Sequence, residues 1–173
     1  MGHKVTEHGL VPDDSKVSAI KNMPNPQDKK GVQRFLGMCN FLGQYIPRLS
    51  EICSPLREIA APSAEFSWSS TQQSAFDTIQ QKISDASAMQ YFDPASQVIL
   101  QVDASDYGLG AALIQNNKIV AFSSSTLSET ERNNYAQIEK ECLAIVHGMH
   151  RWDLWLYGHP NIIVESDHKP LQK

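Results

Sequence analysis

The sequence predicts an α+β or α/β fold in which a helical module is followed by a mixed sheet of order β-β-β-α-β. Apolar residues recur at three- and four-residue spacing up to about residue 86, which is the period of amphipathic helices. Residues 97–123 instead carry short strand-like runs separated by turn residues. Pro94 lies where the pattern changes, so we place the boundary between the two parts at residues 87–96.

The composition excludes several classes of protein. Apolar residues make up 41% of the 173 and charged residues 20%, which is ordinary globular usage and excludes disordered and collagen-like chains. No apolar run reaches the roughly 18 to 20 residues that span a bilayer, so we expect no membrane partner. The three cysteines form no Cys-x-x-Cys pair, which argues against a zinc site or a disulfide framework.

The net charge of −4 is unevenly distributed. Residues 1–60 hold eight Lys and Arg against six Asp and Glu, whereas residues 97–173 hold six against nine. This asymmetry is typical of a chain that contacts phosphates at one end and holds cations at the other, although solvated surface charge gives the same pattern.

Helices account for the first half of the chain. Two acidic residues favour the start of a short helix over residues 13–21. A longer helix begins at Asn25 and Pro26, an N-cap followed by a proline, and Pro47 ends it. The apolar stripe of this helix consists of Val32, Phe35, Leu36, Cys39, Leu42 and Ile46.

Two further helices precede the sheet. Pro55 and Pro62 bracket a short one. Ser70 and Gln73 form the pattern of a capping box, and the helix behind them extends to about Ala86. Its core face consists of Phe76, Ile79 and Ile83.

Three strands follow. Residues 97–102 are apolar enough for a central strand. Residues 108–115 and 118–123 pair as a hairpin, because Asn116 and Asn117 tolerate the positive φ of a two-residue turn.

One helix then crosses to a fourth strand over residues 161–166, which a right-handed connection sets parallel to the first. Ser128 and Glu131 supply a capping box at the start of this helix. Its predicted apolar face consists of Tyr135, Ile138, Cys142, Ile145, Met149 and Trp152. Such a sheet keeps one bare face, so we expect the domain to be C-terminally truncated.

Three carboxylates lie where this topology brings distant segments together. Asp103 follows the first strand and Asp167 the fourth, and Glu141 borders the apolar stripe of the helix above them. Carboxylates that converge without Arg or Lys repel one another, and Mg²⁺ or Mn²⁺ would stabilise them. Two such ions about 4 Å apart are a common means of hydrolysing a phosphodiester. The alternative is that these are three separate surface acids at the ends of elements.

Six segments form motifs in a fixed order along the chain. Three lie in the second half: DASDYGLGAAL at 103–113, EKECLAI at 139–145 and SDHKPL at 166–171. Three lie upstream: GLVPD at 9–13 with KVSAI at 16–20, FLGMCNF at 35–41, and FSW at 66–68. Together they resemble the reverse transcriptase and RNase H region of gypsy-like (metaviral) long-terminal-repeat retrotransposon Pol polyproteins.

The resemblance implies a helical thumb module followed by an RNase H-like domain. Residues 1–24 would be the end of the palm and a linker, and residues 25–90 the helical thumb or connection. Residues 91–173 would be the RNase H-like domain, which in the family continues past Lys173 to a fourth acidic residue.

The implied function is metal-dependent endonucleolytic hydrolysis of RNA in RNA–DNA hybrids during reverse transcription. The family is also that of RNA-directed DNA polymerases, whose palm is not in this chain. Carried over by motif, Asp103, Glu141 and Asp167 would be catalytic and would hold two Mg²⁺ ions, with Mn²⁺ as the alternative. Glu139 is a nearby competitor for the position of Glu141.

The implied partners are an RNA–DNA hybrid, a template–primer duplex and the rest of the Pol polyprotein. Lys29, Lys30 and Arg34 are candidates for phosphate contacts, with ordinary solvated charge as the alternative. The resemblance places the protein in a cytoplasmic retroelement particle or in the nucleus, and the chain shows no targeting signal.

Two rival functions stand beside the nuclease. One is a catalytically inactive nucleic-acid-binding module or a domesticated retroelement remnant, which would bind a hybrid without any need for metal. The other is a sugar-kinase or actin-type ATPase, which shares the sheet topology but needs glycine-rich phosphate loops. The DAS segment at 103–105 is a poor loop of that kind.

Overall fold

The structure, a computed structural model, describes residues 3–167 and confirms the predicted mixed α+β fold. It opens with an antiparallel hairpin of β1 (His3–Thr6) and β2 (Gly9–Pro12), which the sequence analysis did not predict. The hairpin depends on a partner far along the chain, because Leu10 and Met89 exchange two backbone hydrogen bonds of 2.8 Å. Gly9 is at φ 131°, and a Cβ there would lie 2.0 Å from the Met89 carbonyl oxygen.

The helical half contains five α-helices: α1 (Asp14–Lys21), α2 (Lys29–Phe41), α3 (Leu49–Ile52), α4 (Ser54–Ala60) and α5 (Ser70–Ser84). The first, the short proline-bracketed helix and the last lie close to their predicted positions. The helix α3 was not predicted, since four residues are too few to show a periodicity.

The predicted bounds of α2 were wrong at both ends. Asp28, not Asn25, caps it, and its carboxylate accepts a hydrogen bond of 2.7 Å from the Gly31 amide. The helix ends before a 3₁₀ turn at Gly43–Tyr45 and does not continue to Pro47. All six residues of the predicted apolar stripe are nevertheless buried, because burial follows the packing of the segment and not its hydrogen-bond pattern.

The capping box of α5 was predicted one residue too late. Ser69 is the N-cap, and it pairs with Gln72 where the sequence analysis chose Ser70 and Gln73. The predicted core face is correct, and the Phe76 ring packs against that of Phe35 in α2 with centroids 4.5 Å apart.

The sheet comprises β3 (Val98–Ala104), β4 (Gly108–Gln115), β5 (Lys118–Thr126) and β6 (Ile162–Ser166). Its order is β5-β4-β3-β6, and only the β3–β6 pair is parallel. Asn116 and Asn117 join β4 to β5 with φ of 52° and 59°, as predicted. The strand β5 is longer than predicted because its pairing continues to the start of β4, where Thr126 is the partner of Gly108.

The crossover from β5 to β6 consists of α6 (Glu129–Asn134), α7 (Gln137–Arg151) and α8 (Asp153–Leu156). The capping box of Ser128 and Glu131 is present as predicted. Only the second half of the predicted apolar face is confirmed: Trp152 is buried and Ile145 and Met149 pack against the apolar core, whereas Tyr135, Ile138 and Cys142 are exposed. The predicted single helix is also broken, because Tyr135 is extended and α7 begins only after it. The residues of α7 that are buried are Lys140, Glu141, Ala144 and Gly148.

Two apolar clusters form the interior. One belongs to the helical half, and the other lies between the sheet and α7, where Leu100, Leu113 and Ala144 are fully buried. Ile119 and Phe122 of β5 pack against the helical cluster, so the two halves are in contact. Within residues 3–167, no helix has both the length and the apolar character needed to cross a bilayer.

Gly148 sets how closely α7 approaches the sheet. A Cβ at this position would lie 2.9 Å from Leu100 Cδ1 and 3.3 Å from the Ala111 Cβ. We expect Gly148→Leu to lower the free energy of unfolding by about 1–3 kcal/mol, measured by urea denaturation. Gly37→Leu is the matched control, because Gly37 lies in α2 with nothing within 4 Å, and a better helix former there is neutral or stabilising. Equal effects of the two substitutions would contradict this account of the contact.

His147 gives the fold a pH dependence. Its Nε2 lies 2.9 Å from the Ser123 Oγ, and burial, followed by the charge of Arg151, lowers the pKa of its imidazole. The unfolded chain, with a histidine pKa of about 6.5, therefore takes up a proton more readily than the folded one. We expect the free energy of unfolding to fall as the pH drops below about 6.5, and His147→Gln to reduce this fall. Urea denaturation at pH 7.5 and 5.5 tests the difference, and an unchanged pH dependence in the variant would contradict it.

Candidate functional site

The parallel pairing of β3 and β6 brings two aspartates to one edge of the sheet. Their register runs from Val98 opposite Ile162 to Val102 opposite Ser166. Asp103 and Asp167 each come one residue after the last pair, so their Cα atoms continue on neighbouring strands. This is the adjacency that the sequence analysis expected from a right-handed crossover.

Glu141 reaches the same edge from α7. Its side chain is only 2% exposed, and two hydrogen bonds hold its carboxylate. Gln137, one turn earlier, donates from Nε2 to Glu141 Oε1 at 3.0 Å and to the Ala104 carbonyl at 2.9 Å. Ser166 Oγ donates to Glu141 Oε2 at 3.4 Å. Gln137 thus links α7 to the end of β3, and the Glu141 carboxylate links it to the end of β6.

The three acidic side chains form a single cluster. One carboxylate oxygen from each of Asp103, Glu141 and Asp167 lies within 4.8 Å of the others. Glu141 is buried, Asp103 is partly exposed and Asp167 is exposed, so the cluster opens to solvent on one side. The three residues are neighbours in space and are not separate surface acids.

Among the described residues, the cluster carries more negative charge than its paired cations offset. Within this part of the chain, Arg48 is the cation that pairs with it, with Nε 3.3 Å from Asp103 Oδ2. Among residues 3–167, neither Glu141 nor Asp167 takes part in an ion pair. A buried carboxylate without a cation is costly, and an all-oxygen donor set is what Mg²⁺ and Mn²⁺ prefer. The residues present therefore fit a divalent metal ion.

Neighbouring acids have other partners. Glu139 accepts a hydrogen bond of 2.7 Å from the Ala136 amide and so caps α7, which separates its role from that of Glu141. The nearly buried Lys140 places its Nζ 2.8 Å from Asp106 Oδ1. This contact lowers the pKa of Asp106 and ties α7 to the turn after β3.

A cavity of about 940 Å³ adjoins the cluster. All four strands of the sheet, α7 and the helical half contribute to its wall. Its polar and charged lining residues are Arg48, Gln101, Asp103, Glu165, Ser166 and Asp167. It is large enough to take part of a nucleic-acid backbone beside the carboxylates.

The three basic candidates lie elsewhere, on α2. Lys29 Nζ donates to the carbonyls of Ala61 and Pro62, both at 3.0 Å, so it holds the end of α4. Lys30 and Arg34 are exposed. None of the three lines the cavity beside the carboxylates.

Three residues of this site were not predicted from the sequence. Gln137 lies four residues before Glu141, a helical spacing that could have revealed it. Ser166 immediately precedes Asp167 and belongs to a quoted motif. Arg48 had no signal in the sequence, because its partner lies across the interface between the helical half and the sheet. The motif residues at 168–171 lie outside the described part of the chain.

Comparison with known proteins identifies a family and several relatives. A family model described as the RNase H-like domain found in reverse transcriptase matches residues 68–164, which is more than half of the chain. The Retrovirus-related Pol polyprotein from transposon 412 of Drosophila melanogaster is 29% identical over 99% of the chain. The Tf2-3 polyprotein of Schizosaccharomyces pombe is 28% identical over 90% of it. The chain spans only 14% and 12% of the length of these two relatives.

Solved structures share the fold. A foamy viral protease-reverse transcriptase dRH in complex with double-stranded DNA aligns with 95% of the chain and 29% of its own, with a TM-score of 0.80 and 23% identity. The foamy viral protease-reverse transcriptase in complex with an RNA/DNA hybrid aligns with 95% of the chain and 23% of its own, with a TM-score of 0.79 and 22% identity.

Neutralising the buried carboxylate should stabilise the protein when no metal is present. We expect Glu141→Gln to raise the free energy of unfolding in EDTA by about 1 kcal/mol, because the amide keeps the contacts to Gln137 and Ser166 without a buried charge. Asp103→Asn should give a smaller gain or a loss, since Asp103 already has Arg48 as its counter-ion. Urea denaturation measures both, and a destabilised Glu141→Gln variant would show that the charge is already compensated.

Proposed function

Because the chain belongs to the family of RNase H-like domains found in reverse transcriptases, we propose that it contributes metal-dependent endonucleolytic hydrolysis of RNA in RNA–DNA hybrids. The observation that carries this proposal is the convergence of Asp103, Glu141 and Asp167 from two strands and a helix. An all-carboxylate cluster beside an open cavity suits the hydrolysis of a phosphodiester better than any other chemistry that these residues could support.

Each carboxylate has a distinct part in the proposed site. Asp103 lies on β3, next to β6 and below α7, so it would hold an ion together with each of the other two carboxylates. Glu141 and Asp167 would each complete one ion site. Divalent ions, when bound, lower the pKa of water and stabilise charge on the phosphate and the leaving oxygen.

The residues around the cluster would position it. Gln137 and Ser166 fix both oxygens of Glu141, so this ligand is oriented before any ion arrives. Burial of Glu141 keeps water away from one side of the site, while the exposed Asp167 leaves the other side open to a strand of nucleic acid.

The proposed substrate is an RNA–DNA hybrid, recognised through backbone shape and 2′-hydroxyl groups. Cleavage would then show little sequence preference. Support comes from the foamy viral enzyme of similar fold, whose structure was solved with an RNA/DNA hybrid.

We further propose that residues 25–90 act as the thumb or connection that holds a template–primer duplex, and that residues 91–173 form the RNase H-like domain. Of the basic candidates on α2, Lys30 and Arg34 are the better phosphate contacts, because the Lys29 ammonium already binds two carbonyl groups. The relatives are polyproteins several times longer than this chain, so the remaining Pol segments are the proposed protein partners.

Asp103→Asn tests the proposed nuclease. We expect the variant to cleave a labelled RNA–DNA hybrid at least about 100-fold more slowly than the wild type in Mg²⁺, because the ion contacts of this carboxylate are worth several kcal/mol in the transition state. Calorimetric titration with Mn²⁺ should show weakened metal binding in the same variant. Glu139→Gln is the matched control, since the glutamine side chain can also accept the hydrogen bond of the Ala136 amide and this residue has no place in the cluster.

The outcomes separate the proposal from its rival. Loss of both cleavage and metal binding in Asp103→Asn, with neither lost in the control, supports the nuclease. Hybrid binding that needs no metal, with no cleavage even after the domain is completed with downstream sequence, would instead identify a catalytically inactive nucleic-acid-binding module.

A further inference from the structure

Arg48 connects the helical half of the chain to the carboxylate cluster. Its Nε lies 2.8 Å from Glu51 Oε2, within the same segment, and 3.3 Å from Asp103 Oδ2, on the sheet. The guanidinium therefore stands between one carboxylate that has no place in the cluster and one that the proposed metal site requires.

The backbone holds Arg48 firmly in this position. The residue has a left-handed conformation, with φ 54° and ψ 33°, which is uncommon for a residue other than glycine. Its carbonyl accepts hydrogen bonds from the amides of Glu51 and Ile52, so it forms the start of α3. The next residues are fixed to the sheet, because the Ser50 amide donates to Ser124 Oγ at 3.0 Å. An unfavourable conformation kept by surrounding contacts is a feature often found at functional sites.

We propose that Arg48 is the counter-ion of Asp103 in the metal-free protein and that it competes with divalent metal for this carboxylate. This inference rests on the proposed function, since it takes the cluster to be a metal site. Arg48 lies outside the sheet and outside all the motifs of the sequence, and under this proposal it sets how tightly the cluster binds metal.

The competition follows from charge and distance. A magnesium ion binds a carboxylate oxygen at about 2.1 Å, and a guanidinium cannot remain paired with that oxygen beside a dication. On metal binding, Asp103 would exchange Arg48 for the ion, and Arg48 would stay paired with Glu51, which is already its nearer partner. Glu51 thus gives Arg48 a second position in which its charge stays paired.

The expected change in Mg²⁺ affinity depends on how exposed the Arg48–Asp103 ion pair is to solvent. The side chains of Arg48 and Asp103 are 51% and 38% exposed, so the pair is a partly solvated one. Such pairs are weak, and removal of this one should tighten metal binding about two- to fivefold.

The first test is metal affinity, measured by calorimetric titration of the 173-residue chain with Mg²⁺ in about 0.15 M salt, where distant charges are screened. Arg48→Gln, which removes the charge while keeping a long side chain at the same backbone angles, should bind Mg²⁺ two- to fivefold more tightly. Arg48→Lys, which keeps the charge, should lie close to the wild type. Arg151→Gln controls for the loss of one positive charge elsewhere on the surface, because Arg151 is exposed at the end of α7, ten residues after Glu141, and it should leave the affinity unchanged.

The second test uses Glu51 in a double-mutant cycle. Glu51→Gln should weaken Mg²⁺ binding when Arg48 is present, because the guanidinium then has only Asp103 as its partner. In the Arg48→Gln background the same substitution should have no effect. An equal change in both backgrounds would mean that Glu51 acts only as a nearby negative charge, and would overturn the proposal.

Three results decide the matter. The competition is supported if Arg48→Gln binds Mg²⁺ more tightly while Arg48→Lys and the charge control do not, and if Glu51→Gln weakens Mg²⁺ binding only when Arg48 is present. Mg²⁺ binding by the wild type that Arg48→Gln leaves unchanged or weakens overturns it while the proposed metal site stands. Failure of the wild type to bind Mg²⁺ or Mn²⁺ at all overturns both the competition and the nuclease.

Discussion

Mutual repulsion among three carboxylates is the constraint on which the rest of this structure depends. Asp103, Glu141 and Asp167 come from different elements and meet within 4.8 Å, although close negative charges in a partly buried setting oppose folding. The hydrophobic contact of α7 with the sheet and the β3–β6 ladder have to overcome this opposition. Bound divalent ions would offset the electrostatic free energy that opposes bringing the three carboxylates together.

The fold supplies the means to hold the cluster together. Backbone pairing fixes the two aspartates side by side, and the small Gly148 lets α7 lie close enough for Glu141 to reach them. Gln137 and Ser166 then satisfy the buried carboxylate in the metal-free protein. Packing, backbone hydrogen bonds and side-chain hydrogen bonds therefore all favour the same arrangement of the three carboxylates, as expected for a minimally frustrated sequence.

The helical half is more than an attached module. It packs against β5, and through Arg48 it places a positive charge on the central aspartate of the sheet. A contact of this kind joins the part of the chain proposed to hold a duplex to the part proposed to cut one. Any movement of α3 relative to the sheet would change the charge beside the carboxylate cluster.

Local patterns in the sequence determined much of this protein: the Asn116–Asn117 turn, the core face of α5 and the order of the strands. They also indicated the three carboxylates, because each lies in a motif at the end of an element or on the border of a helix stripe. Sequence failed where the deciding partner is far away: the Leu10–Met89 bridge, the start of α7, where Ile138 is exposed and Glu141 is buried, and Arg48. Only the tertiary structure decided these, because periodicity reports which residues share a face of one element, whereas contacts between elements depend on how closely their backbones approach.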